Sequence, residues 1–191
     1  CDWSSDVCSS DLILTAVILV PLVVIATLKL DSPEFFIAMV PILAISSWEY
    51  SGLIKMKHWS TKALYVAALT TAAYFFNQTP FLLIPLLIIT LIWWFINSFW
   101  IISFPRHTHY WHNYLATRLV NGFFFFVPLL VALPALHQID SSLVLLLLAL
   151  IWAADSGAYF VGSALGKNKL VPNVSPGKTI EGVAGGVLFS L

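Results

Sequence analysis

The sequence predicts an all-α integral membrane protein, a polytopic helix bundle with six full transmembrane helices and the start of a seventh. Hydrophobic side chains make up 60% of the 191 residues and charged side chains only 9%, whereas soluble domains carry about 25% charged residues. The mean hydropathy is +0.92. The apolar runs are long and continuous, unlike the alternating segments of about ten residues in a membrane β-barrel. A soluble protein and a membrane β-barrel are therefore both excluded.

The first eleven residues differ in composition from everything that follows. They contain both cysteines and three of the nine acidic residues. They resemble a translated sequencing adapter, and we predict that 1–11 is non-native and that the membrane domain covers 12–191. A signal peptide fits less well, because the segment lacks a basic start and a small-residue cleavage site. Two cysteines so placed predict neither a disulfide framework nor a four-ligand zinc site.

Apolar runs separated by polar, proline or glycine residues give the expected helices. The run at 63–76 is short, and it reaches back to Trp59 if the Lys62 side chain extends to the membrane surface. A seventh run, 179–191, is shorter than the roughly 20 residues needed to cross a bilayer, so the chain is expected to end in mid-helix. The six full runs are 12–28, 35–54, 63–76, 81–102, 119–136 and 143–165.

The distribution of cations predicts the orientation in the membrane. The connections between the predicted helices alternate between the two sides of the membrane. One side holds all the basic residues except Lys29, and by the positive-inside rule this cation-rich side is cytoplasmic. The N-terminus and the loop 166–179 are then cytoplasmic too. The chain as a whole has no basic excess, which argues against nucleic acid as a partner. Alternate connections hold eight of the nine basic residues: Lys55, Lys57, Lys62, Arg106, Arg118, Lys167, Lys169 and Lys178.

Asp155 is the most informative residue, because it lies inside the sixth run, in LIWAADSGAYFVGSALG. An Asp at the centre of a membrane helix costs about 2.5–3.5 kcal/mol on insertion scales, and it suggests a metal, proton or substrate site. The alternative is a structural hydrogen-bond hub between helices. Small residues around it predict that another helix packs closely here. They recur every four residues, at Ala154, Ala158, Gly162 and Gly166.

The loop and helix start that follow, GKNKLVPNVSPGKTIEGVAGG, combine lysines, hydroxyls and glycines. Exposed N–H groups at a helix start, with lysines beside them, predict a phosphate cradle. A nearby carboxylate can hold Mg²⁺, which substrate phosphates and water complete. Gly177-Lys178-Thr179 matches the end of a P-loop, but Pro172 replaces its first glycine and no strand precedes it, so a P-loop is excluded. The alternative is an ordinary cytoplasmic loop followed by a GxxxG packing helix.

Three histidines, His107, His109 and His112, form a second cluster, in RHTHYWH. They could ligate a metal. A group of amphipathic rings at the membrane interface is the commoner explanation, and it is the one we favour.

The segment WAADSGAYFVGSALGKNKLVPNVSPGKTIEGVAGG resembles the phosphatidate cytidylyltransferase (CDP-diacylglycerol synthase) family. Weaker similarity extends to SSWEYSGL and TRLVNGFFFFVPLLVALPAL. The resemblance implies an enzyme of phospholipid biosynthesis in the bacterial inner membrane. It would convert CTP and phosphatidate to CDP-diacylglycerol and pyrophosphate, with Mg²⁺ as cofactor. Its partners would be CTP, phosphatidate and the lipid bilayer, and a homodimer is one assembly that the sequence allows.

The resemblance also implies roles for individual residues. Asp155 would hold the metal and act in catalysis together with Lys178. Further acidic residues of the family's metal site would follow residue 191, so we expect this chain to be inactive alone. A CTP-dependent polyprenol kinase and an ion-coupled transporter are the alternative functions. The expected substrate-binding residues are Ser156, Lys167, Lys169, Ser175, Lys178, Thr179 and Glu181.

Overall fold

A computed structural model describes residues 6–104 and 114–191, with side chains from residue 17 onward. The described chain is mostly helical. A short 3₁₀ turn, Pro80–Leu82, leads into α4. The cluster of His107, His109 and His112 lies outside the described residues. The elements in chain order are α1 (Asp6–Lys29), α2 (Ser32–Leu53), α3 (Trp59–Asn77), α4 (Leu83–Ile102), α5 (Leu115–Ile139), α6 (Ser141–Leu165), β1 (Lys169–Val171), β2 (Ser175–Thr179) and α7 (Ile180–Phe189).

A long helix covers each of the six predicted apolar runs. Within the described residues, four helices are long and apolar enough to cross a membrane: Ser32–Leu53, Pro80–Ile102, Leu115–Ile139 and Ser141–Leu165. Helix α3 is less apolar because it contains Lys62 and several hydroxyl side chains. The apolar part of α1 with described side chains, Val17–Lys29, is shorter. By length and composition, the described helices are those of a multi-pass membrane protein with four candidate spans.

The prediction of an all-α protein is wrong in one segment. Strands β1 and β2 pair antiparallel, with Lys169 opposite Thr179 and Val171 opposite Ser175. The turn between them is closed by a hydrogen bond from the Val174 N–H to the Val171 carbonyl, 3.0 Å long. Pro172 favours this turn, because its fixed φ suits the second turn position. Pro176 and Gly177 then disfavour a helix before residue 180.

Helix α5 lies at the centre of the bundle and contacts α2, α3, α4 and α6. In a bilayer such contacts gain little from the hydrophobic effect, so close van der Waals packing has to hold the helices together. The buried side chains that form the apolar core between these helices are Phe36, Leu43, Leu69, Ala73, Leu86, Phe126, Val127, Leu130 and Val131.

At one end of the bundle, His137 joins α5 to α1 and α2. Its Nε2 lies 2.8 Å from the Thr27 carbonyl, which can only accept, so Nε2 carries the proton. In the neutral ring Nδ1 then accepts from the Ser32 hydroxyl, 2.9 Å away. The ring also stacks on Phe35, with 4.5 Å between centroids.

At the opposite end, side chains of α2 and α3 bond to the first turns of α5. The Tyr50 hydroxyl donates to the Arg118 carbonyl at 2.6 Å, and Arg118 Nη1 donates to the Ile54 carbonyl at 2.9 Å. The Tyr65 hydroxyl donates to the Leu119 carbonyl at 3.0 Å. The C-terminal end of α2 and the N-terminal ends of α3 and α5 therefore lie together, as helices of alternating direction require.

Helices α6 and α7 pack with almost no side chains between them, so the predicted small-residue packing face is confirmed and α7 is its partner. A Cβ at Gly182 would lie 3.0 Å from the Ala158 carbonyl oxygen, and one at Gly186 would lie 3.0 Å from the Ala154 carbonyl oxygen. The contact is tightest at Gly185, where a Cβ would lie 2.5 Å from Cβ of Val161. Only glycine permits this separation.

We expect Gly185→Ala to destabilise the α6–α7 pair by about 1–3 kcal/mol, the usual cost of overpacking. The added methyl would meet Val161 and the Gly157 carbonyl oxygen at 2.7 Å, and neither can swing away. Thermal unfolding in detergent measures the effect. Gly177→Ala is the matched control, because nothing lies within 4 Å of a Cβ there. Equal melting temperatures for the two variants would contradict this packing.

Candidate functional site

A cavity of about 670 Å³ lies between the second half of α6, the hairpin and the start of α7. Two residues from α6, Asp155 and Ser156, share it with two from β2, Lys178 and Thr179. The structure thus brings together four of the predicted site residues. The remaining lining residues are Ala158, Tyr159, Phe160, Gly162, Ser163, Leu170, Gly177, Gly182 and Val183.

Asp155 lies ten residues before the end of α6, about 15 Å along the helix axis. Its side chain is exposed to the cavity. Within the described chain it has no hydrogen-bond partner, which does not fit a structural hub between helices. The carboxylate is therefore available to a ligand or a cation.

Tyr159 and Ser163 extend the polar face that Asp155 begins. The three residues are four apart along α6, so they project from the same side of the helix. All three line the cavity. The residue assignments made from sequence did not include Ser163, although its spacing from Asp155 is the signal that could have identified it.

The first N–H groups of α7 are occupied, so they do not support the N–H part of the predicted phosphate cradle, which otherwise stays a prediction. The Ile180 N–H donates to the Asn168 carbonyl at 2.9 Å, and the Gly182 N–H donates to Thr179 Oγ1 at 3.1 Å. The Glu181 N–H interacts with its own carboxylate. Thr179 is the N-cap of the helix and is only 5% exposed. A phosphate in the cavity would have to meet side chains and strand backbone instead.

Glu181 joins the two ends of the hairpin. Its carboxylate accepts from the Lys167 N–H at 3.2 Å, from the Asn168 N–H at 3.2 Å, and from Asn168 Nδ2 at 2.7 Å. The bond with its own N–H, followed by those with Asn168 and Lys167, lowers the pKa of the Glu181 carboxyl below its ordinary value. Glu181 does not line the cavity, so the structure gives it a positioning role.

Three other predicted substrate-binding residues lie on the hairpin but outside the cavity lining. Lys167 and Lys169 are exposed, and Ser175 is half-buried. Ser175 pairs with Val171 across the hairpin. Among the residues that the structure describes, Lys178 is thus the lysine that lines the cavity.

Within the described residues there is no group of three or more His, Cys, Asp or Glu side chains that could hold a metal ion. A metal bound in the cavity would therefore have Asp155 as its only carboxylate ligand from this part of the chain. Mg²⁺ tolerates such a site, because it is commonly held by one or two carboxylates and completed by phosphates and water. The hydroxyl of Ser156 is a second oxygen donor at the same place.

We expect acid to loosen the hairpin through Glu181. Because folding lowers its pKa, the ionised carboxylate stabilises the hairpin above the ordinary value of 4.5, and this contribution is lost as the pH falls below it. The protection factors of the Asn168 and Ile180 amides, which correct for the slower intrinsic exchange in acid, should fall across that range in the wild type. Glu181→Gln, which cannot ionise, should have lower protection factors at neutral pH and show little further loss in acid. The same acid response in both proteins would contradict the assignment.

The chain is similar in sequence to several named proteins. The chain is 31% identical to a phosphatidate cytidylyltransferase of Pseudomonas aeruginosa over 177 residues, covering 92% of this chain and 65% of the relative. It is 29% identical to one of Haemophilus influenzae over 198 residues, covering 94% and 69%. A Bacillus subtilis relative of the same name is 63% identical over 41 residues, covering 22% and 15%.

The chain therefore spans about two thirds of the length of the Pseudomonas aeruginosa and Haemophilus influenzae relatives. No solved structure is significantly similar to it. The family described as the cytidylyltransferase family matches residues 11–191. The chain belongs to the cytidylyltransferase family.

Proposed function

We propose that the full-length protein transfers a cytidylyl group from CTP to phosphatidate, giving CDP-diacylglycerol and pyrophosphate. The relatives named phosphatidate cytidylyltransferase support this reaction. The observation that carries it is the cavity that is lined both by Asp155, a carboxylate on a candidate membrane span, and by a lysine, Lys178. A site for two anionic substrates at a membrane needs both a cation and a group that can hold another cation.

The proposed reaction does not need a covalent intermediate with the protein. The phosphate of phosphatidate is already an anion and can attack the α-phosphorus of CTP. A new phosphoanhydride bond forms there, the bond to the β-phosphate breaks, and pyrophosphate leaves. The protein has to align the two phosphates and neutralise their charge. No serine or cysteine nucleophile is required.

Lys178 and Asp155 divide this task. The ammonium group of Lys178 would stabilise the charge that builds up on the phosphates. Asp155, with Ser156 beside it, would hold Mg²⁺. When bound, Mg²⁺ supplies charge neutralisation for the phosphates of CTP. The backbone of Gly177 has open space around it, so a phosphate oxygen could approach its strand closely.

We further propose that α1 and α3 also cross the membrane and that α7 enters it after its first turn. The hairpin would then face the cytoplasm of the bacterial inner membrane. Contacts of Arg118 with Ile54 support this orientation, because they bring two cation-bearing connections to one end of the bundle. Exposed apolar side chains on α4, such as Phe95 and Ile102, would face the bilayer or a second copy in a homodimer.

We expect Lys178→Gln in the full-length protein to lower CDP-diacylglycerol synthesis about 10²- to 10³-fold, the usual effect of removing one charge-stabilising donor. Asp155→Asn should abolish synthesis. Assays of CTP-dependent CDP-diacylglycerol formation in membranes, normalised to protein level, provide the measurement. Lys169→Gln is the matched control, because this lysine lies on the same hairpin but does not line the cavity. Equal losses for the two lysine variants would contradict a specific role for Lys178.

The identity of the released product separates cytidylyl transfer from the alternative reading as a CTP-dependent polyprenol kinase. We expect pyrophosphate and a lipid that retains the label of CTP radiolabelled in the base. Release of CDP, with phosphate and no base on the lipid, would assign γ-phosphoryl transfer and overturn the proposal. Ion flux that ignores CTP would instead assign a transporter.

A further inference from the structure

A second cavity, of about 380 Å³, lies between α2, α4, α5 and the turn of the hairpin. We call it the aromatic cavity. Four of its eight lining residues are aromatic, Tyr50 among them, and two carry amides, Asn97 and Asn121. The reaction chemistry described above uses none of these residues. The lining residues are Tyr50, Trp94, Asn97, Trp100, Ile101, Asn121, Phe125 and Val174.

Hydrogen bonds with Trp93 orient both amides. The Trp93 Nε1–H donates to Asn121 Oδ1 at 2.8 Å, and Asn97 Nδ2 donates to the Trp93 carbonyl at 2.9 Å. The Asn121 oxygen is therefore used, and its Nδ2 makes no hydrogen bond within the described chain. Asn121 thus brings two N–H donors to a cavity with largely apolar walls. A ligand that matches this wall needs a hydrogen-bond acceptor attached to an apolar body.

The aromatic cavity lies beside candidate membrane spans. Asn97 is five residues before the end of α4 and Asn121 six after the start of α5, which places both about 8–9 Å along their helices from the same end of the bundle. Trp94 and Phe125, which are 41% and 52% exposed, face outward from candidate spans. The cavity therefore opens sideways, near the level at which lipid ester groups meet their acyl chains.

The hairpin connects the aromatic cavity to the Asp155 cavity. Leu170 lines the Asp155 cavity and also a small cavity at the hairpin turn. That small cavity shares Ile101 and Val174 with the aromatic cavity. A ligand that lay along the hairpin could therefore reach from one cavity to the other.

Charge near the aromatic cavity favours an anionic ligand. Arg118 lies one turn before Asn121 on α5, toward the proposed cytoplasmic end. Its Nη1 bonds to the Ile54 carbonyl, and its buried Nε has no hydrogen-bond partner in the described chain. Its positive charge is therefore not paired with a carboxylate in these contacts.

We propose that the aromatic cavity binds the glycerol ester region and adjoining acyl chain of phosphatidate, with Asn121 Nδ2 donating to an ester carbonyl. The phosphate would point along the hairpin toward the Asp155 cavity. This inference rests on the proposed function for the identity of the lipid. The sideways opening and the apolar walls favour a lipid over the base of CTP, which would have to enter from water.

Photolabelling tests the site without requiring turnover. The full-length protein, in phosphatidylcholine nanodiscs, is irradiated with phosphatidate carrying a diazirine next to one ester group. We expect labelled peptides from 94–101 and 121–125, with labelling reduced by excess unlabelled phosphatidate and unaffected by a CTP analogue that cannot release pyrophosphate and so cannot consume the probe. Label lost to this analogue would identify a nucleotide site. Label spread evenly over outward-facing helix surfaces would indicate bulk lipid. Either result overturns the proposal.

Two variants of Asn121 remove its N–H donors. Asn121→Leu also removes the oxygen that accepts from Trp93, so this variant could fail to fold. Asn121→Asp keeps that oxygen, and it therefore tests the lost N–H donors in a protein that retains this bond. We expect labelling to fall about three- to tenfold, the effect of one lost hydrogen bond. Asn77→Leu, at the C-terminal end of α3, is the matched control and should label normally. Unchanged labelling in a folded Asn121 variant overturns the proposal. Specific labelling without cytidylyl transfer would refute the proposed function and leave the lipid site in place.

Discussion

The close approach of α6 and α7 is the contact on which the candidate site depends. Because Gly157 and Gly185 carry no side chains, the two helix backbones nearly touch. Gly162 and Gly166 continue this contact, so the end of β2 is held against α6 at Thr179. Lys178, the preceding residue, then lies over the same helix face as Asp155. Any side chain that separated the helices would also separate these two charges.

The hairpin is held mainly at its ends. Glu181 and Thr179 fasten its base to α7, while Val174, at the turn, lies against the end of α4. Between these points most of β2 is exposed. Segments with few buried contacts open at lower free energy than the core. Lys178 therefore lies on a strand that can move more easily than the helices, which would serve substrate entry and product release in the proposed reaction.

Much of the helical architecture could be predicted because continuous apolar runs in a bilayer can satisfy their backbone only as helices. The small residues from Ala154 to Gly166 likewise indicated a packing face. The hairpin could not be predicted in this way, since strands of three and five residues are too short to show periodicity. The capped start of α7 depends on Asn168 and Glu181 meeting across the hairpin, a tertiary contact without a local pattern. Asp155 and Lys178 lie in one cavity because of both the helix packing, which the small residues indicated, and the hairpin contacts, which no local pattern indicated.

On the proposed function, charge explains why Asp155 and Lys178 would act together. Asp155 alone would repel a triphosphate and a lipid phosphate, and this repulsion is stronger inside a membrane than in water because the effective dielectric constant is lower. Lys178 neutralises one negative charge, but most of the negative charge of the two substrates remains. A divalent cation held by Asp155 would turn the carboxylate from a repulsive group into an attachment point for phosphate. If Asp155 holds a cation as proposed, the high cost of an aspartate in a membrane helix is the cost of placing that cation at this depth.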